Sequence, residues 1–411
     1  MNRRPTIGAV VGLTIGACVS IPAFNGGDAG GDGVCIPDLS VNGSGSVSFT
    51  SDSGGGIVTG AAYSLHFGSG SQFHFPDDVR VGGTDVMNAQ TVNCGQEDLA
   101  GMALYPADAI RPNGSSMVGA NDLIVQPGWT GPAVVKVMTH WSASFASCNA
   151  TPGGDTLFTL FPEGRVVRHD YMYNNTSQDW GACACNGAAS YYPTSFWTFD
   201  QASFTTLQVG SSSAVPLSTF TGQLADESVA CLQGGPAISV ATAWHVGGTT
   251  GTRVLEVNNA IAYVFDFVRV HQPTTAPAFG YTTTSALFLG GGCDMTGIPR
   301  ATDFVANSTE ITINGSPRKP GLADGIYGGA DDRSNAGGFA LTQMTAQIAG
   351  SAPVGFAVWL KFPAPACDIT VTKNPDPGNP FFTKQQLDDD EWVVWFRDPL
   401  VAPNTITITA K

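Results

Sequence analysis

The sequence predicts an all-β fold, a large antiparallel β-sandwich, on three observations. Charged residues are only 12% of the chain, whereas Gly and Pro number 51 and 26, a composition suited to many short strands joined by tight turns. Hydrophobic residues at 43%, with aromatics at 10%, are enough to fill a sizeable core. From about Ser46 onward the chain alternates apolar and polar residues in segments closed by Gly, Pro, Asn or Asp, the period-two pattern of half-buried strands.

Taken in order, the predicted strands are Val134–Phe145, Thr156–Phe161, Arg165–Tyr173, Phe196–Phe199, Val254–Val257, Ala260–Val270, Glu310–Ile313, Gly355–Phe362, Ile369–Thr372, Trp392–Phe396 and Thr405–Thr409. The clearest hairpin turns at Pro162-Glu163-Gly164, between Thr156–Phe161 and Arg165–Tyr173. Lys384 to Asp390 is expected to form one short helical turn. Two C-terminal stretches look alike: Trp359-Leu-Lys-Phe-Pro363 followed by Ile369-Thr-Val-Thr372, and Trp395-Phe-Arg-Asp-Pro399 followed by Ile406-Thr-Ile-Thr409. A duplicated β-hairpin unit would explain them. The expected organisation is one sandwich region over 46–411, with a split near residue 235 into two β domains as the alternative.

The N-terminus reads as an export signal. Asn2-Arg3-Arg4 is cationic and Pro5 to Phe24 runs without a charge. Ile15-Gly16-Ala17-Cys18 resembles the lipobox of bacterial lipoproteins, with an aliphatic residue at −3, small residues at −2 and −1, and then the cysteine. The resemblance implies cleavage of 1–17, acylation of Cys18, and a membrane anchor in the cell envelope, at the outer membrane or cell surface; several acyl chains make such an anchor stable. An uncleaved spanning anchor, weakened by Pro22, Thr14, Ser20 and the scarcity of Leu, and simple secretion are the alternatives. Residues 18–45 then form a flexible tether rich in Gly and Asp.

Setting Cys18 apart from the nine cysteines leaves eight: Cys35, Cys94, Cys148, Cys183, Cys185, Cys231, Cys293 and Cys367. An even set outside the cytoplasm reads as structural disulfides. Sequence order suggests Cys35–Cys94, Cys293–Cys367, and Cys148 and Cys231 each joined to one of Cys183 and Cys185. The Cys183-Ala-Cys185 pair has no convergent partners at metal-site spacing.

A formal charge of −15 repels phosphate backbones, so nucleic acid is not an expected partner. Nucleophile elbows, phosphate loops and HExxH are absent from the sequence. Asp388-Asp389-Asp390-Glu391 and the loop bearing Asp324, Asp331 and Asp332 offer oxygen ligands to Ca²⁺ but lack EF-hand spacing. No cofactor is expected.

Alternation within two strands points to a binding surface. Arg165, Val167, His169, Tyr171 and Tyr173 share one face of their strand, opposite Val166, Arg168, Asp170 and Met172. Arg165 and His169 are costly to bury, which turns Tyr171 outward and Met172 inward with Val166, provided Arg168 and Asp170 pair with each other or with a neighbouring strand. In Ala260–His271 the odd positions place Tyr263, Phe265, Phe267, Arg269 and His271 together. Rings that stack on sugars beside Arg and His, which hydrogen-bond hydroxyls or a uronate, suit a polysaccharide. The same parts would serve uronate β-elimination, with Arg neutralising the carboxylate and His or Tyr moving the proton; an ordinary solvent-facing sheet accounts for them as well. Leu160-Phe-Pro-Glu-Gly-Arg-Val-Val167 is similar to the F/Y-P-D/E-G-R hairpins of β-sandwich domains in exported carbohydrate-active proteins, which implies a sandwich hairpin and nothing about catalysis. The expected function is that of a non-catalytic, lipid-anchored envelope protein that binds a glycan or another surface component. A carbohydrate-active enzyme such as a polysaccharide lyase is the alternative, and a purely structural or adhesive coat protein is the third class.

Overall fold

The computed structural model describes residues 45–53, 55–68, 75–87, 90–92, 96–98, 100–105, 108–109, 117–145, 152–174, 192–220, 222–225, 228–235, 237–247, 251–258, 262–270, 279–293, 310–313, 316–318, 326–329, 343–349, 356–362, 365–374, 381–397 and 404–410. All of these lie in the unit Pro37–Lys411; the lipobox and Cys35 lie outside the described residues. Most of the described residues lie in strands, and none is α-helical. The architecture is all-β, with several antiparallel sheets packed face to face.

The organising element is a nine-stranded central sheet in the order Met117–Ile124, Val135–Phe145, Pro152–Leu160, Arg165–Asn174, Phe279–Leu289, Ser239–Gly247, Ala230–Gln233, Thr206–Val209, Val215–Pro216. Its inner face meets a six-stranded sheet built around Gly251–Asn258, Tyr263–Val270 and Tyr192–Asp200, and a five-stranded N-terminal sheet, Ser48–Asp85. One apolar core joins these sheets: Val135, Val137, Phe158, Leu160, Val166 and Leu287 from the central sheet pack with Trp197, Val264 and Val268 and with Leu65, Phe67 and Val79. Each such side chain contributes about 1.5–3 kcal/mol on full burial. Alternation places them: Val135, Val137 and Thr139 are buried while Lys136, Met138 and His140 on the same strand are only partly so.

The outer face of the central sheet is covered over part of its length. There Val167, Ala286 and Phe288 pack against Ala357, Trp359, Val393 and Trp395 of a four-stranded sheet, Ile326–Gly329, Phe356–Lys361, Glu391–Phe396, Phe382–Asp388. The opposite face of that sheet packs Leu360, Trp392 and Phe396 on Ile369, Ile406 and Ile408 of a five-stranded C-terminal sheet. The two similar C-terminal stretches occupy equivalent places: Phe356–Lys361 pairs with Glu391–Phe396 in one sheet, and Ile369–Asn374 with Asn404–Ala410 in the other.

Several sequence expectations are corrected. Lys384 to Asp390 is no helical turn; Phe382–Asp388 is a strand. Its polar run is buried for tertiary reasons, because Gln385 Oε1 accepts from the backbone N–H groups of Ala133 and Val134, each at 2.9 Å, and its Nε2 donates to Gly128 O at 2.7 Å. The strand expected from Ala260 starts at Tyr263, since Ala262 takes a φ of 56° and closes the turn before it. Cys231 bonds Cys293, Cα–Cα 5.6 Å, rather than Cys183 or Cys185. Strand order explains the choice: Ala230–Gln233 lies beside Ser239–Gly247, and the chain leaving Phe279–Leu289 folds back over that strand, where Gly292 N–H donates to Ser239 Oγ at 2.8 Å. Cys367 is also disulfide-bonded, and Cys293 cannot be its partner. The expected Cys35–Cys94 bond, and Cys148, Cys183 and Cys185, lie outside the described residues.

Candidate functional site: the open face of the central sheet

The Phe-Pro-Glu-Gly-Arg hairpin sets the register of the site. Gly164 holds φ at 103°, and a Cβ there would stand 2.3 Å from Leu289 O, so glycine is required at the turn. Phe161 N–H donates to Arg165 O at 2.9 Å, and Tyr63 Oη donates to Phe161 O at 2.8 Å. From this turn the returning strand runs antiparallel to Pro152–Leu160 on one side and to Phe279–Leu289 on the other.

Its odd face is divided. Arg165 is 1% exposed beneath the C-terminal sheets, its guanidinium 4.0 Å from the Phe161 ring centroid and 3.2 Å from Glu163 Oε1. Val167 is fully buried in the same layer, whereas His169 is half-buried and Tyr171 is 44% exposed. The face opens as the strand runs out from under its cover. Arg165, expected on the ligand surface, is therefore sealed away between Glu163 and the Phe161 ring.

Across the open half, cross-strand register aligns one row of residues. Asp122, His140, Asp155, Tyr171 and Thr282 are successive Cα partners on five adjacent strands, a row about 19 Å long at about 4.8 Å per strand. His140 Nδ1 lies 2.6 Å from Asp155 Oδ1, their side chains 43% and 45% exposed. Next to this row, His169 Nδ1 is 3.1 Å from the Thr284 hydroxyl. Gly153, Tyr173 and Gly280 form the neighbouring backbone row. Where the cover begins, Lys136 Nζ stands 4.9 Å from the Trp129 ring centroid and 5.3 Å from that of Trp359.

Of the sequence-predicted residues, His169 and Tyr171 are brought together on this face. The side chains of Tyr173, Tyr263 and Arg269, and the whole of His271, lie outside the described residues; Tyr263 and Arg269 belong by backbone to the six-stranded sheet. Sequence reasoning missed His140 and Asp155. The hairpin symmetry about Glu163 would have found Asp155, since it places that residue opposite Tyr171. His140 depends on the next strand connection, which carries no turn signal of that kind.

Two other polar clusters flank the fold. Burial raises the Glu163 carboxyl to about 7, against the pull of Arg165 in the opposite direction. Burial and then the Glu163 charge push the Tyr63 phenol up. On the N-terminal sheet, His66 stands between Asp77, 2.5 Å from Nδ1, and Asp52, 2.8 Å from Nε2. Burial lowers the His66 pKa, but hydrogen bonds to the two carboxylates outweigh it and the net shift is upward.

Among the described residues no group of three or more His, Cys, Asp or Glu converges as a metal ligand set. In the Asp388–Glu391 turn, Asp389 N–H donates to Asp388 Oδ1 at 2.8 Å and Lys361 Nζ donates to Glu391 Oε1 at 2.7 Å. Asp324, Asp331 and Asp332 lie outside the described residues. Among those described, no helix is long and apolar enough to cross a membrane.

No protein-family model matches the chain, and no curated protein matches it. Among solved structures it is similar to the alpha-N-acetylgalactosaminidase NagBb from Bifidobacterium bifidum in complex with GalNAc, at 7% identity and TM-score 0.36 over 57% of this chain and 36% of that one. It is similar also to heparinase III, at 7% identity and TM-score 0.33 over 74% and 39% of the two chains. A third likeness is to the GH36 alpha-galactosidase AgaB from Geobacillus stearothermophilus, at 10% identity and TM-score 0.29 over 57% and 39%. The chain spans 36%, 39% and 39% of the lengths of these three proteins.

Proposed function

We propose that this chain is an exported envelope protein, anchored through acylated Cys18, that binds a glycan on the open half of its central sheet without transforming it. The observation that carries this reading is the register row of His140, Asp155, Tyr171 and Thr282: an exposed ring beside paired hydrogen-bonding groups on a rigid sheet. A ring of this kind stacks on the apolar face of a pyranose, while Asp155, Thr282 and the imidazole bond its hydroxyls. The tether of 18–45 gives the sheet reach from the membrane surface.

Catalysis is the second reading, favoured by the His140–Asp155 pair, in which a carboxylate orients an imidazole. Uronate elimination would need a guanidinium on this face, and Arg165 is committed to Glu163 beneath the cover. A glycan array with wild type and Tyr171→Ala, followed by absorbance at about 235 nm for unsaturated uronate products, separates the readings. Binding lost in the variant, with no product, supports the proposal; turnover overturns its non-catalytic half. For the anchor, intact mass of membrane-extracted protein should differ between wild type and Cys18→Ser by the acyl groups and the retained leader, and identical processing would overturn it.

A further inference from the structure

We infer that the open face selects glycans without acidic groups and that Asp155 sets this selectivity; the inference rests on the glycan-binding reading above. On the described outward positions of Val135–Phe145, Pro152–Leu160, Arg165–Asn174 and Phe279–Leu289, the charged or titratable groups are Lys136, His140, Asp155, Arg165, His169 and Tyr171. The cationic ones are engaged by the protein itself. Arg165 is sealed against Glu163 and Phe161, Lys136 lies over the rings of Trp129 and Trp359, His140 is held by Asp155, and His169 Nδ1 meets the Thr284 hydroxyl at 3.1 Å. Among the described residues, a uronate or sulfate arriving over Tyr171 would therefore meet the half-exposed Asp155 carboxylate one strand away, with no outward guanidinium beside it.

The same carboxylate suits a neutral sugar. Asp155 gives one oxygen, Oδ1, to His140, and an ionised carboxylate has lone pairs enough on its second oxygen to accept from a sugar hydroxyl. Tyr171 on the next strand supplies the stacking surface, and Thr282 beyond it a further hydroxyl. At longer range the formal charge of −15 slows the approach of a polyanion, most strongly when the screening length is long.

The test uses the full-length protein on immobilised neutral glycans (mannan, xylan, β-glucan) and acidic ones (polygalacturonate, alginate), at about 10 mM and about 150 mM salt. A neutral member should bind about tenfold or more tighter than either acidic one, with little dependence on salt. Asp155→Asn, checked for folding by thermal melting, should narrow that ratio by weakening neutral binding and admitting the acidic glycans. Selective binding of an acidic glycan, weakened by salt, would overturn this inference and leave glycan binding standing. An unchanged ratio in Asp155→Asn would overturn the role given to that residue. Folded protein that binds none of these glycans at either salt concentration would overturn both this inference and the glycan reading beneath it.

Discussion

Arg168 and Asp170 stand two residues apart on the inner face of one strand and pair at 2.9 Å, neither side chain exposed to solvent. The pair is completed from three directions. Asp170 accepts from Thr156 Oγ1 at 2.8 Å and Thr283 Oγ1 at 3.0 Å, and Arg168 donates to Phe196 O at 2.8 Å across the core. Satisfying each other is what lets two charges lie in the core and leaves the opposite face of the strand free to emerge. Asp170→Asn should cost about 3–5 kcal/mol, because it strands the guanidinium without its counter-charge. Arg168→Met combined with Asp170→Leu should cost much less than the two single losses together. Urea unfolding of the single and double variants checks both; a cost under about 1 kcal/mol for Asp170→Asn would show that the pair does not organise this core.

Gln385 ties the C-terminal sheets to the central one. Its side chain satisfies three backbone groups, at Ala133, Val134 and Gly128. Gln385→Ala leaves two N–H groups and a carbonyl without this partner, at about 1–3 kcal/mol for each group that water cannot reach. The expected result is a lower urea midpoint and earlier proteolysis of the C-terminal region. Gln385→Glu should also destabilise, since it forfeits the donor to Gly128 and brings a carboxylate into a buried site. A midpoint unchanged in both variants would show the contact to be dispensable.

Stability should fall with rising pH through the Glu163 titration. The folded-state value is about 7, above an ordinary carboxyl near 4.5, so between these values the folded chain holds a proton that the unfolded chain has lost. The stabilisation is full below about 4.5 and lost as pH rises through about 7, at most about 3 kcal/mol in all. Because the His66 pKa is raised as well, its titration overlaps this window. The difference between wild type and Glu163→Gln isolates the Glu163 part. Parallel stability curves for the two from pH 4 to 8 would refute it.

The fold was legible where local pattern and tertiary environment agreed. Lys136, Met138 and His140 alternate with Val135, Val137 and Thr139, and period two read that strand to within a residue of its observed start. The polar run Thr383-Lys384-Gln385-Gln386 hid a strand, because its buried partners are backbone groups some 250 residues away in sequence. Arg165 misled for a related reason. Alternation assigns it to the same face as Tyr171, but whether that face is covered depends on the C-terminal sheet, which no local pattern announces. Cys231 and Cys293 are brought together by strand order, and sequence order could not reveal that.

Tyr171 tests which way the sheet faces and whether that face has a use. The ring is 44% exposed, whereas Phe158, on the neighbouring strand and opposite Arg168, is fully buried against Phe67 and Trp197. Tyr171→Ala should therefore change stability by no more than about 1 kcal/mol, the span of strand propensity at a surface site. Phe158→Ala should cost about 3–5 kcal/mol, as loss of a buried aromatic does. Stability alone would fit an idle surface equally well, so the deciding measurement is binding. With the melting temperature nearly unchanged, Tyr171→Ala should weaken binding to a glycan found on the array by about tenfold or more, equivalent to about 1.4 kcal/mol. His140→Ala should weaken it as well, because Asp155 then loses the group that orients it. A large loss of stability in Tyr171→Ala would mean that the ring fills a packed layer and that this face is closed in solution. Unchanged stability together with unchanged binding would place the ligand elsewhere.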